Sequence, residues 1–288
     1  LFEFIAIPSV GADPAHHADL EASADFVASA FRGLGLKTRV TRSDIQPGTA
    51  GAPAVLATSP RVPGAPTVLL YAHHDVQPAP SMQGWDSPPF EGQVRGERLY
   101  GRGSSDDRAG IAVHWGALRA LEDVDGALPL NVAVFIEGEE EIGSPSFTNF
   151  LREHQEELAA DVIIVADSSN WTVETPSLTA SLRGVVTIDV TVRVLEHAVH
   201  SGMFGGPVLD ALTLASRLIA TLHDEDGAVA VPGLGGQKQA EVVWDEDEFR
   251  KDASVLPTYR LAAGDLAANV WTMPAISVIG IDAPTVAQ

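Results

Sequence analysis

The sequence predicts an α/β fold, a largely parallel sheet flanked by helices, followed by a smaller α+β unit. Three short, nearly all-apolar runs alternate with helical stretches through residues 1–182, as strands buried on both faces of a sheet do. Beyond that point the pattern changes to strict apolar–polar alternation, the mark of a sheet covered on one face only. The boundary is therefore placed near Leu182, giving domains 1–182 and 183–288.

Each element follows from its local pattern. Residues 18–34 carry apolar side chains at helical spacing (Leu20, Ala24, Phe26, Val27, Phe31), with Gly33 and Gly35 able to end the helix. Residues 67–72 (TVLLYA) read as the first buried strand and residues 110–121 as a helix. The second strand is 131–136 (NVAVFI). Ser144-Pro145 then opens a helix to about residue 159, with proline in its first turn, and 161–166 (DVIIVA) is the third strand. In residues 186–194 every even position is apolar and positions 187, 189, 191 and 193 are polar. An amphipathic helix follows at 207–223 through Val208, Leu212, Ala215, Leu218 and Leu222, and the Gly/Pro-rich residues 231–236 form a loop. No internal repeat or low-complexity tract interrupts the order.

Composition narrows the function. The 288 residues include 18 Lys+Arg against 39 Asp+Glu, a net charge of −21, and no cysteine. Nucleic acid and anionic membrane surfaces want basic patches, so neither is an expected partner. The lack of cysteine removes disulfides, thiolate zinc sites and a cysteine nucleophile together, and is compatible with the cytoplasm. No run approaches the ~20 apolar residues a bilayer span needs. The opening LFEFIAIPSV has neither a positive region nor a small-residue cleavage site, so it does not read as a signal peptide, and it lacks an initiator Met, the expectation being a chain trimmed at its front.

Acidic and histidine residues cluster directly after the three buried strands, where ligands gather in open α/β sheets. His73-His74-Asp75 follows the first. His73 and Asp75, two apart, share a face in extended chain. That pairing suits a metal-binding imidazole whose second nitrogen is held by a carboxylate, and equally a hydrogen-bonded histidine at a strand end. Asp106 and Asp107 lie in the glycine-rich GRGSSDDRAG just before a helix, where either could be a simple N-cap. A phosphate loop is disfavoured there because no Lys-Ser/Thr pair follows. The run 137–144 (EGEEEIGS) follows the second strand, and carboxylates so packed repel unless a cation compensates them. Asp167 ends the third strand, where an ordinary Asx turn is the competing reading. Together they give one histidine and several carboxylates at one sheet edge, a site for Zn2+ first, with Mn2+ and Co2+ as alternatives.

The segments AHHDVQP (72–78), GWDSPPF (84–90), LYGRGSSDDR (99–108) and EGEEEIGS (137–144) together resemble one family. It is the dinuclear-zinc peptidase family of carnosinase, bacterial dipeptidases, aminoacylase and succinyl-diaminopimelate desuccinylase, and the Asp-Val-Gln-Pro and Asp-Asp-Arg variants look most like its dipeptidase branch. The resemblance implies a zinc-peptidase catalytic domain carrying an inserted α+β lid that dimerises. It implies His73 and Asp167 as ligands of one metal, Asp106 as the bridging ligand, Glu141 as a ligand of the other metal, and Asp75 as the carboxylate that orients His73. Glu140 matches the general base, and Asp107 sits where a cis peptide follows the bridge. HAVHSGMFGG (197–206) resembles the family's lid segment, which assigns His200 to polarising the substrate carbonyl.

In function, the resemblance implies a cytoplasmic, homodimeric metallopeptidase. It would cleave the peptide bond of dipeptides or short peptides by metal-activated water with a glutamate general base, using two Zn2+ per site. The alternatives are an N-acyl amino acid amidohydrolase of the same family, or a non-catalytic fragment whose 183–288 portion dimerises. One departure stands out. The family places a further histidine ligand after the lid, whereas no histidine follows His223 here, so the lid is expected to be incomplete in this chain.

Overall fold

Strands β1 (Lys37–Thr41), β4 (Ala54–Thr58), β5 (Thr67–His73), β8 (Asn131–Glu137) and β9 (Val162–Val165) form the main sheet, in the order β1-β4-β8-β5-β9. Between them lie two small antiparallel pairs, β2 (Asp44–Gln46) with β3 (Thr49–Ala50), and β6 (Gln93–Arg95) with β7 (Arg98–Tyr100). The computed structural model describes residues 1–79, 81, 82 and 84–283, and the chain divides into two units, Leu1–Leu178 and a second that begins at Thr179.

The sheet is mixed, which corrects the expectation of a largely parallel one. Only β8, β5 and β9 run parallel; β4 lies antiparallel to β8, and β1 antiparallel to β4. The cause is connectivity. Strands β5, β8 and β9 are linked through helices that carry the chain back across the sheet, whereas β1 and β4 are joined through the β2–β3 hairpin with no helical crossover. The three strands legible in the sequence are the three parallel ones.

Two helical layers cover the centre of the sheet. On one face, α2 (His17–Gly33) and α3 (Arg108–Asp125) pack Ala24, Val27, Phe31, Ile111 and Leu118 against Val55, Leu70, Val132, Val134 and Ile136. On the other, α4 (Phe147–Glu153) and α5 (Gln155–Leu158) set Phe150 and Leu158 against Leu56, Leu69, Ala133 and Phe135. The alternation 132/134/136 against 133/135 is a strand covered on both sides. A short helix, α1 (Phe2–Ile5), packs Phe4 into the first layer. The helix expected from Ser144 is in fact two: Ser144 (φ 51°) and Pro145 belong to the preceding turn, and the helix breaks at His154.

Strand β9 departs from expectation. Its all-apolar sequence reads as doubly buried, yet Val162, Ile163, Ile164 and Val165 are 46–62% exposed. It is the edge strand of the sheet and, among the described residues, pairs with β5 alone.

The second unit holds α6 (Ser201–Phe204), α7 (Ala211–Ala220), α8 (Glu246–Asp252) and α9 (Leu266–Trp271). The expected helix 207–223 is realised as the shorter α7, begun by Asp210, whose carboxylate accepts from the Thr213 N–H (2.8 Å) and hydroxyl (2.7 Å). The one-sided sheet predicted over 186–194 is not formed; those residues carry no strand, and Val186, Ile188 and Val190 stand exposed. A strand exists through its neighbour, and among the described residues of this unit no second strand pairs with the alternating segment. Among its described residues the second unit is helical and irregular, and the α+β character expected of it is not seen there.

Candidate metal centre

The parallel register sets the site. His73 lies opposite Glu137 in the β5–β8 pair, and Tyr71 opposite Val165 in β5–β9, so continuing that register by two residues brings Asp167 beside His73. The loops after these strands converge on the His73 imidazole.

His73 is fully buried, with each ring nitrogen engaged. Nδ1 lies 3.2 Å from Asp75 Oδ1 and 3.1 Å from the Asp75 carbonyl, so it carries a proton and leaves Nε2 to face the cluster. Nε2 is 3.0 Å from Asp106 Oδ1, 3.9 Å from Glu140 Oε2 and 3.9 Å from Asp167 Oδ1. Burial alone would lower the imidazole's proton affinity. The bond to Asp75 and the charges of Asp75, Asp107 and Asp167 outweigh it and raise the pKa to about 10.

The acidic pair before α3 divides its labour. Asp107 is the helix N-cap: Oδ1 accepts from the Gly110 N–H (3.1 Å), while Oδ2 accepts from the His73 N–H (3.1 Å). Burial pushes its carboxyl up to about 7. Asp106, joined to it by a cis peptide bond as the resemblance implies, reaches His73 instead. Gly110 is required at this crossing, because a Cβ there would lie 1.9 Å from the Ala166 carbonyl oxygen.

The glutamate triplet divides likewise. Glu139 is buried and points away from the cluster, accepting from the Ser146 N–H (2.6 Å) and the Ala52 N–H (2.9 Å). Glu140 and Glu141 begin a 3₁₀ turn, and their backbone N–H groups donate to Asp75 Oδ1 (3.2 Å) and Oδ2 (3.0 Å). Asp75 thus fixes both the imidazole and the glutamate turn. Partial burial lifts the Glu140, Glu141 and Asp167 carboxyls above their ordinary range; the His73 charge opposes this, and neighbouring carboxylates add to it.

His73, Asp106 and Asp167 offer ligand atoms that all lie within 4.8 Å of one another, a group that could hold a metal ion. Glu141 stands outside that group, with its carboxylate hydrogen-bonded to Gln77. His200 belongs to the second unit, where its Nδ1 accepts from the Gly202 N–H (3.1 Å) at the start of α6.

Several residues that build the site carry no plain signal in the sequence. Glu137 is buried beneath the glutamate turn, accepts from the Tyr71 and Ser144 hydroxyls, and is pushed up to about 7 by burial. His74 is structural: its Nε2 donates to the Pro53 carbonyl (2.8 Å) and its own carbonyl accepts from Ser9 Oγ (2.6 Å). Gln77 had a signal available, since it continues the two-residue spacing of His73 and Asp75.

A model of peptidase family M20/M25/M40 matches residues 69–279. The chain belongs to that family. Its M20 relatives include dipeptidases, in line with the branch its motifs resemble. It is 36% identical over 285 residues to a cysteinylglycine-S-conjugate dipeptidase of Corynebacterium striatum, covering 97% of this chain and 61% of the relative. To a Cys-Gly metallodipeptidase of Schizosaccharomyces pombe it is 33% identical over 254 residues, 85% of this chain and 53% of the relative. The structure of human carnosine dipeptidase 1 superposes with a TM-score of 0.71 at 25% identity, covering 99% of this chain and 65% of that one. The M20 chain thus spans somewhat over half the length of these relatives. Among the described residues, no helix is long and apolar enough to cross a membrane.

Proposed function

We propose that the protein is a metal-dependent hydrolase that cleaves the peptide bond of dipeptides or short peptides. The observation that carries this reading is the arrangement about His73: Nδ1 is tied back by Asp75, and Nε2 faces Asp106 and Asp167 at the carboxyl ends of parallel strands, in a chain whose relatives are dipeptidases.

The residues fit a cation. A single imidazole with a fixed tautomer and two carboxylates form a nitrogen–oxygen donor set for a borderline or hard divalent ion, Zn2+ first and Mn2+ or Co2+ as alternatives. His73, Asp106 and Asp167 would hold it, and Asp106 with Glu141 would hold a second. Such an ion supplies a Lewis acid that polarises the scissile carbonyl and acidifies a water molecule.

The chain's own groups do the rest. Asp75 keeps the proton on His73 Nδ1 and anchors the turn that carries Glu140. Glu140, beside the cluster and with its proton affinity raised by burial, takes a proton from the attacking water as the new C–O bond forms. It then delivers that proton to the amide nitrogen as the C–N bond breaks, releasing a carboxylate and an amine. By the family resemblance, His200 would serve the developing oxyanion as a hydrogen-bond donor. The second unit also provides the surface for a homodimer, and the cysteine-free composition suits the cytoplasm.

The test is Glu140→Gln. Turnover of a dipeptide should vanish while Co2+ remains bound; loss of the ion instead would make Glu140 a ligand rather than the base. Hydrolysis of N-acyl amino acids with none of dipeptides would replace the peptidase reading by a deacylase one.

A further inference from the structure

Three alternate residues of one extended segment, His73, Asp75 and Gln77, each bond to acidic residues of the site, Gln77 to Glu141 beside the His73 group, and Gln77 has no role in the proposed mechanism. Asp75 grips the backbone of the glutamate turn; Gln77 grips a side chain in it. The Gln77 backbone N–H donates to Glu141 Oε1 (3.1 Å), and its amide Nε2 donates to Glu141 Oε2 (2.7 Å) and to the Glu141 carbonyl (3.2 Å). Both carboxylate oxygens are thus held by one residue, so the Glu141 side chain cannot rotate without breaking a bond. An ionised carboxylate has about four acceptor positions, and two remain for a cation.

The chemistry of the holder matters as much as its place. A lysine or arginine here would neutralise Glu141 and compete with a metal ion, and an acid would repel it. A neutral amide orients the carboxylate and leaves its charge available. Partners of this kind behind a ligand typically alter metal affinity about 10–100-fold.

We propose that Gln77 is a positioning residue that preorganises the Glu141 carboxylate as an oxygen ligand, and so sets the affinity of the cation that Glu141 shares with Asp106. This rests on the metal-dependent reading of the site and adds a residue to it. Rotational freedom that Glu141 would otherwise lose on binding is already lost in the chain.

The experiment titrates Co2+ into the 288-residue chain as wild type, Gln77→Ala, Glu141→Ala and the double variant, with melting temperatures recorded in chelator. The expected result is that Gln77→Ala weakens, about 10–100-fold, the same binding step that Glu141→Ala weakens. The step belonging to His73, Asp106 and Asp167 stays unchanged, and Gln77→Ala has no further effect once Glu141 is gone. The chelated melting temperature should not move. The inference is overturned if Gln77→Ala leaves every step within twofold, if its effect is the same with and without Glu141, if both steps weaken together with a fall in melting temperature, or if Glu141→Ala changes no step. If the wild-type chain binds no Co2+, the metal-dependent reading itself fails; a normal first step with an unaltered second overturns the Gln77 assignment alone.

Discussion

Strands β8 and β9 both carry unbroken apolar runs, VAVFI and VIIV, and have opposite surroundings. Residues 132–136 of β8 are at most 3% exposed, flanked by β4 and β5 and covered by helices on both faces, whereas every residue of β9 is about half exposed. Their loops differ as their strands do. After β8, Glu137, Glu139 and the backbone of Glu140 and Glu141 are each bonded to a different part of the unit. After β9, Asp167 reaches the cluster from a strand anchored on one side only. An apolar strand sequence states that the strand wants cover; it does not say from which element that cover comes.

Matched substitutions test this contrast. Val134→Asp should cost about 4 kcal/mol or more and abolish cooperative unfolding of the first unit, because a charge would enter a dry interior. The same change at Val162 of β9, 51% exposed, should cost under about 0.5 kcal/mol in denaturant unfolding. Equal costs would mean that β9 is covered after all.

The next effect concerns the base of the β8 loop. Glu137 has a folded-state carboxyl pushed from 4.5 up to about 7 by burial, so the folded chain holds a proton that the unfolded chain has released between those values. Stability from this group is therefore full below pH 4.5 and falls as pH rises through about 7, by at most about 3 kcal/mol. Glu137→Gln should remove that part of the decline, seen by comparing unfolding midpoints at about pH 5 and about pH 8, on either side of the folded-state value. An unchanged slope would show that Glu137 is not buried.

A smaller effect is expected at Glu139→Gln, which keeps one acceptor and loses the other. One of the Ser146 and Ala52 N–H groups goes unpaired, at about 1–2 kcal/mol. Hydrogen exchange should then quicken at that amide and leave the centre of β8 protected.

The sequence carried the parallel half of the fold and the residues at its edge because apolar runs followed by acidic clusters mark buried strands with a ligand end. It did not carry β1 and β4. β1 (KTRVT) is a charged edge strand with little periodic signal, and β4 (AVLAT) is a short apolar run that periodicity alone cannot assign. Residue type and spacing alone left open the division of Asp106 from Asp107, and of Glu139 from Glu140, since neighbours of one type differ only in which backbone N–H groups their side chains meet; only the family resemblance told them apart. The alternating segment 186–194 failed for the opposite reason: the pattern is plain, but pairing is a property of two segments and only one is present in the described fold.

The antiparallel half supplies no candidate ligand, yet the lead-in to β4 holds the site from behind. The Ala52 N–H takes Glu139, the Pro53 carbonyl takes His74, and a Cβ on Gly51 would lie 2.5 Å from Ser146 Oγ. The smallest portable version of this centre is therefore larger than the strands that display it. A graft of β5, β8 and β9 with their loops onto another scaffold would keep every candidate ligand and lose the wall that aims them, whereas a transplant that starts at Gly51 would carry both.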